Sequence, residues 1–213
     1  LDHTGNGIAA TVNPYTVDRE TPVLLLGEFN AGTGKTLIEY KEGVATTATD
    51  ADLTPLTGNA SGVLGRGNGT AGLNGDMSEV IVYSGVLNAS DRRDVESYLA
   101  VKYSITLPIP YTASGVNIYN NTGYESDIIG IGQDLTQCFD QPNTKTEGYT
   151  GISSIQNPSD LGDGEYLIFG HNGVDSRLST TTGVPAGYDE IMQRIWQVDT
   201  TGNPAKKGFK SIR

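Results

Sequence analysis

Short runs that alternate apolar and polar residues, each closed by glycine, asparagine or aspartate, recur along this chain and restrict its fold more than any other feature. "TPVLLLGEFN", "TLIEYKEGVATTAT", "GDMSEVIVYSG", "SDIIGIGQD", "TGISSIQN", "GEYLIFGHNG" and "MQRIWQVDTTG" each read as a strand or hairpin between turn residues. Successive side chains of a strand point to opposite faces, so this alternation buries one face of a sheet and does not wind into an amphipathic helix. With 28 glycines and only 18% charged residues among 213, tight turns are favoured over long helices built from Ala, Leu, Glu and Lys. The expected class is all-β. Lys41-Glu42-Gly43 is the expected turn of the second run, and "LTGNASGVLGRGNGTAGLNG" reads as a glycine-rich loop enclosing at most one short strand at Val63-Leu64.

One segment breaks the pattern. Asn88 precedes Asp91 by three positions, a cap and its partner, and Val95, Tyr98, Leu99, Lys102 and Tyr103 follow at helical spacing. The helix should end near Ser104. Pro108 and Pro110, two apart, cannot continue it and favour an extended connector. The expected organisation is a first domain over 1–107, a proline linker over 108–110 and a β-sandwich module over 111–213.

The stretch "NAGTGKTL" ends like a phosphate-binding loop, with Gly34-Lys35-Thr36 in place. Phe29, however, stands where the loop's first glycine belongs, and Thr36-Leu37-Ile38-Glu39-Tyr40 suits a strand, not the helix whose amides would face a phosphate. The segment reads as a hairpin turn. A net charge of −11 repels phosphate backbones and argues against nucleic acid. The single cysteine, Cys138, excludes an intrachain disulfide and reads as a small buried hydrophobe. No apolar run reaches the roughly 18 residues of a membrane span.

Two stretches carry a family resemblance. "LNGDMSEVIVYSGVLNASDRRDVESYLAVKYSITL" resembles the closing strand and helix of a concanavalin A-like, laminin-G-like jelly roll, in the version found in large surface proteins of Bacteroidota. Ser104 stands where that helix commonly has glycine. "YTAS", "SDIIGIGQD", "YLIFGHNG" and "QRIWQVDTTG" resemble the β-sandwich module that follows this jelly roll. The resemblance implies an exported, multidomain, adhesin-like protein, handled by type IX secretion and in some members linked to gliding motility. It also implies a piece of a longer protein, with the jelly roll incomplete at its N-terminal side and the second sandwich at its C-terminal side.

The jelly-roll resemblance brings its own candidate chemistry. Retaining glycanases on that fold carry E-x-D-x-x-E, and Asn74-Gly75-Asp76-Met77-Ser78-Glu79 occupies the same spacing. Asparagine cannot attack an anomeric carbon, so that mechanism is closed. Calcium is the cofactor to consider, held by carboxylates and carbonyls at a loop end. Asp50 and Asp52 form one candidate set, and Asp160, Asp163 and Glu165 another, although Asp and Gly in such loops also serve as turn formers. His171 falls in an expected hairpin loop and reads as solvated; with His3 it completes the histidines, too few for a three-histidine zinc site. Trp196 reads as a core residue. Tyr15, Tyr111, Tyr119 and Tyr124 fall in loop-like stretches and are the candidates for stacking on a sugar ring.

The reading is a non-enzymatic module of a cell-surface adhesin-like protein, with Val95, Leu99 and Tyr103 packing the helix on the jelly roll. Its partners would be neighbouring domains of the parent chain, surface glycans or the outer-membrane secretion and motility machinery. The alternative is a carbohydrate-binding, calcium-dependent module, distinguished by exposed and mutually close aromatic rings.

Overall fold

The computed structural model of the chain describes residues 22–30, 36–49, 75–145, 154–155, 161–175 and 177–201. Thirteen strands and one α-helix lie among them, all strand pairs antiparallel, so the chain is an all-β protein of sandwich type. It divides into two compact units, Leu1–Leu87 and Asn88–Arg213.

In the first unit, β1 (Leu25–Asn30), β2 (Thr36–Lys41) and β3 (Val44–Thr49) form a three-stranded meander. The β2–β3 turn is the expected one. Glu42 and Gly43 both have positive φ, 51° and 81°, the two-residue hairpin turn whose twist matches the flanking strands. Tyr40 is buried opposite Leu26, and Glu42 N donates to Leu24 O at 3.0 Å, tying the turn to the start of β1. Residues 31–35 lie outside the described residues. Strand β2 begins directly at Thr36 and pairs with Asn30 of β1, so an extended strand stands where a phosphate loop would open a helix. The expected strand in "GDMSEVIVYSG" is absent: residues 75–87 join no ladder among the described residues, and Val82 is 85% exposed. Its alternation supplies β propensity, but propensity alone does not make a strand.

The second unit opens with α1 (Ala89–Tyr103). Asn88 caps it as expected, Oδ1 accepting from Ser90 N and Asp91 N at 2.9 Å and Nδ2 donating to Asp91 at 2.7 Å. Ser104 ends it at φ 56°, the left-handed position glycine fills at lower cost. Then come β4 (Tyr111–Ala113), β5 (Val116–Tyr119), β6 (Ser126–Asp134), β7 (Phe139–Gln141), β8 (Thr144–Lys145), β9 (Ser154–Ile155), β10 (Glu165–His171), β11 (Ser179–Thr180), β12 (Ile191–Met192) and β13 (Trp196–Thr200). The main sheet runs β13-β10-β6-β7, with β4-β5, β8-β9 and β11-β12 as two-stranded ribbons. Leu107, Tyr111, Tyr119, Ile128, Ile129 and Ile168 form its fully buried centre.

The helix and the proline segment fall in this second unit. The buried helix residues are Asp94, Glu96, Ser97, Ala100 and Val101, whereas Val95, Leu99 and Tyr103 are only half-buried. Ser97 Oγ accepts from Thr112 N and Asp94 Oδ2 from Gly115 N, both at 2.8 Å, so the helix is bound to the β4–β5 hairpin partly by hydrogen bonds. Hydrophobic spacing alone could not reveal that face. A Cβ on Gly130 would sit 2.8 Å from Ile168 and 3.4 Å from Val101, so the bare backbone of β6 admits both side chains. The proline segment is tied into the fold on its N-terminal side. Ile105 and Leu107 are buried, the Tyr111 hydroxyl donates to Ile105 O and accepts from Leu107 N at 2.9 Å each, and Asn121 Nδ2 donates to Leu107 O at 2.8 Å.

Candidate functional site

A set of polar side chains gathers where β10 meets β6 and β13. Regular pairing places Phe169 opposite Ile129, but His171 pairs with Ser126, so β6 carries one extra residue, Asp127. That bulge puts Asp127 at φ 48°, outside the conformation most residues adopt. In return its carboxylate reaches His171, Oδ2 lying 2.8 Å from Nε2. The His171 ring is completely buried, with Trp196 edge-on at 4.7 Å between centroids. Its Nδ1 accepts from Gly173 N at 3.0 Å. An acceptor at Nδ1 places the proton of the neutral ring on Nε2, where it is donated to Asp127.

The segment after His171 is bound on every side. Asn172 Oδ1 accepts from Val174 N at 3.3 Å and from Ile195 N at 3.2 Å, and Asn172 N donates to Ile195 O at 3.1 Å. Buried Arg194 donates from Nε to Val174 O at 2.7 Å, with its guanidinium 5.7 Å from the Trp196 ring centre. Trp196 is half-buried and meets both Phe169 and His171 edge-on, so it walls this cluster instead of filling the centre of the core. The solvated loop histidine expected from sequence is thus a buried strand-end histidine. Sequence reasoning passed over Asp127 and Arg194; the signal available was "YLIFGH", an apolar strand running straight into a histidine.

A second polar cluster surrounds Asp134 at the end of β6. Its Oδ1 accepts from Thr136 N at 3.0 Å and Gln137 N at 3.2 Å, and Oδ2 faces the hydroxyls of Ser114 and Tyr166 at 3.4 and 3.5 Å. Burial opposes ionisation here, but the hydrogen bonds from Thr136, Gln137 and Ser114 together outweigh it and leave the carboxyl below its ordinary value. Burial, with the charges of Asp134, Asp94 and Asp163 added, pushes the Tyr166 hydroxyl up, and burial does the same for Tyr119.

Of the expected calcium ligands, only Asp163 and Glu165 fall among the described residues. Asp50, Asp52 and Asp160 lie outside the described residues. Asp163 Oδ1 accepts from Leu135 N at 2.8 Å and Glu165 Oε2 from Gly162 N at 2.9 Å, so both act as turn ties before β10. Among the described residues no group of three His, Cys, Asp or Glu is placed to hold a metal ion. Of the tyrosines, Tyr15 lies outside the described residues. Tyr111 and Tyr119 are wholly buried and stack edge-on with each other at 5.9 Å, which removes their faces from any sugar. Only Tyr124 keeps partial exposure, and its carbonyl accepts from the Tyr119 hydroxyl at 3.1 Å. Of the glycanase-like stretch, Asn74 lies outside the described residues and Asp76 is exposed. Cys138 is exposed, not buried: it closes the β6–β7 turn at φ 53°, its N donating to Leu135 O at 3.4 Å.

A family model described as "Domain of unknown function (DUF8202)" matches residues 91–211. No curated protein and no solved structure matches the chain.

Proposed function

Within the DUF8202 family, to which this chain belongs, we propose that it is a non-enzymatic structural or adhesive module of a large secreted or cell-surface adhesin-like protein. The observation that supports this reading is the inward commitment of its polar groups. His171 has both ring nitrogens occupied inside the fold, and Asp134, Asp163 and Glu165 accept backbone amides of their own turns. A general base or metal ligand must keep a lone pair for the incoming group. The lone pair of His171 Nδ1 is taken by Gly173 N, and each of the three carboxylates ties a turn, the task of a module whose value lies in shape and continuity. Its partners on this reading are the neighbouring domains of the parent chain, with surface glycans or the outer-membrane secretion and motility apparatus beyond them.

A carbohydrate-binding function is the second reading, and one observation favours it. Tyr188, in the segment joining β11 to β12, is 68% exposed and followed by the exposed pair Asp189-Glu190. An exposed ring beside hydrogen-bonding carboxylates is a usable sugar platform.

A glycan array probed with the folded chain, once with calcium and once with chelator, tests both readings. The structural reading expects no saturable binding in either condition. Saturable binding to one sugar class, abolished by Tyr188→Ala, would replace it with the carbohydrate-binding reading, and loss on chelation would bring in calcium.

A further inference from the structure

The commitment of His171 leaves one reaction open to it, and the reactants are its own neighbours. Asn172 is followed by Gly173, and the nitrogen of Gly173 is the atom that donates to His171 Nδ1. An asparagine–glycine pair closes to a succinimide when the following backbone nitrogen loses its proton and attacks the side-chain amide carbon. Each requirement of that step has a residue here. His171 Nδ1 lies 3.0 Å from the nitrogen that must be deprotonated, within the range of a positioned general base. Asp127 on Nε2 fixes the tautomer that leaves Nδ1 basic. The Asn172 amide oxygen, where negative charge develops, already accepts from two backbone amides, Val174 N and Ile195 N. The bond from Asn172 Oδ1 to the amide two residues on closes an Asx turn that spans the Gly173 peptide. Gly173 presents no side chain to obstruct closure, and it is exposed, so water reaches the product.

We propose that Asn172 is a self-modification site, converted to aspartate and isoaspartate through a succinimide whose closure is assisted by His171. The Gly173 nitrogen gives its proton to His171 Nδ1 and bonds to Asn172 Cγ. The tetrahedral adduct collapses by breaking Cγ–Nδ2, the imidazolium returns the proton to the leaving nitrogen, and ammonia departs. Water then opens the five-membered imide at either carbonyl. Water is the only co-reactant and no atom changes oxidation state. An aspartate product retains Val174 N and Ile195 N as donors, now charge-assisted, so the fold holds the product at least as well as the starting amide.

The test compares the intact folded chain with the same chain unfolded in urea, both incubated at neutral pH. Peptide mapping follows the mass gain of about 1 Da that converts an amide to an acid, and enzymatic methylation counts isoaspartate. Asn6, Asn68 and Asn74 also precede glycine and serve as references in the unfolded chain. Expected is conversion of Asn172 in the folded chain at least about a hundredfold faster than in the unfolded chain, the low end of what a positioned base supplies. The folded rate should level off at pH values where imidazole is fully unprotonated, whereas the hydroxide-driven rate of the unfolded chain keeps rising. Asp127 is the positioning residue, and Asp127→Asn tests it with little backbone penalty, since asparagine tolerates positive φ. An amide there can donate to Nε2 and shift the ring proton to Nδ1, so both the rate excess and the plateau should vanish while the folded-state spectrum persists. A folded chain that converts Asn172 no faster than the unfolded chain, or with no plateau, overturns the proposal.

Discussion

Tyr111 and Gly170 show how tightly single residues are fixed in the second unit. The Tyr111 hydroxyl satisfies two buried backbone groups, Ile105 O and Leu107 N. Tyr111→Phe keeps the ring and orphans both, and should cost about 2 kcal/mol in urea unfolding, the usual penalty for buried groups left unpaired. A Cβ on Gly170 would meet the Tyr124 carbonyl oxygen at 2.7 Å and the Tyr119 hydroxyl at 2.6 Å. Backbone cannot step aside as a side chain can, so Gly170→Ala should destabilise by roughly 1–3 kcal/mol. Two buried carboxyls set opposite pH responses. Burial, opposed by Arg92 and Arg93, raises Glu96 above its ordinary 4.5, so its stabilising contribution is complete below that value and lost as pH climbs through the folded-state value. Glu96→Gln should therefore raise the melting temperature near neutrality and have no effect in acid. Asp134 is lowered below 3.8, so its contribution is present above that value and lost as pH falls through the folded-state value. Asp134→Asn should lower the melting temperature near neutrality, with the deficit shrinking in acid; identical pH profiles for the two variants would contradict both assignments. None of these residues announced its role in sequence. Tyr111 read as a loop aromatic because its environment, a hydroxyl between Ile105 and Leu107, exists only after the chain folds back.

At the scale of elements, local chemistry was legible and partner choice was not. The Asn88–Asp91 cap, the Glu42–Gly43 turn and the strands of "SDIIGIGQD" and "GEYLIFGHNG" all follow from interactions within a few residues of one another. The cap should be worth its usual amount: Asn88→Ala removes two acceptor contacts to the first turn and should cost about 1 kcal/mol in thermal or urea unfolding. The buried face of α1 was not legible. Its spacing marks Val95, Leu99 and Tyr103, yet Ser97 and Asp94 meet the β4–β5 hairpin because that hairpin offers Thr112 N and Gly115 N. A polar side chain on the inner face reads as an outer-face residue until its donor is known. Residues 77–83 err the other way, with strong strand letters and no ladder among the described residues. The β6 bulge was equally hidden. It depends on register against β10, which a single strand does not encode, and without it Asp127 would not reach His171.

For the whole molecule the consequential question is where the second unit begins. Proline spacing places the start after Leu107, whereas the contact pattern places it at Asn88. The two boundaries differ in what they sever. A fragment over 108–213 loses Ser97 to Thr112 N, Asp94 to Gly115 N, the Tyr111 hydroxyl's two backbone partners, and Val101 above Gly130. It would leave uncovered the side of β6 that Gly130 keeps bare for the helix, together with several unpaired amides, each a cost of roughly 1–3 kcal/mol against a total domain stability of about 5–15. A fragment over 88–213 keeps every one of these contacts and its helix cap. It should therefore unfold cooperatively in urea and give dispersed amide resonances, while the 108–213 fragment should show neither. Equal stability of the two would mean that the helix contributes nothing to the second sandwich, and the proline segment would regain its role as the boundary. The family match beginning at residue 91, inside α1, runs with the earlier start. The match takes in most of the helix together with the strands that follow it.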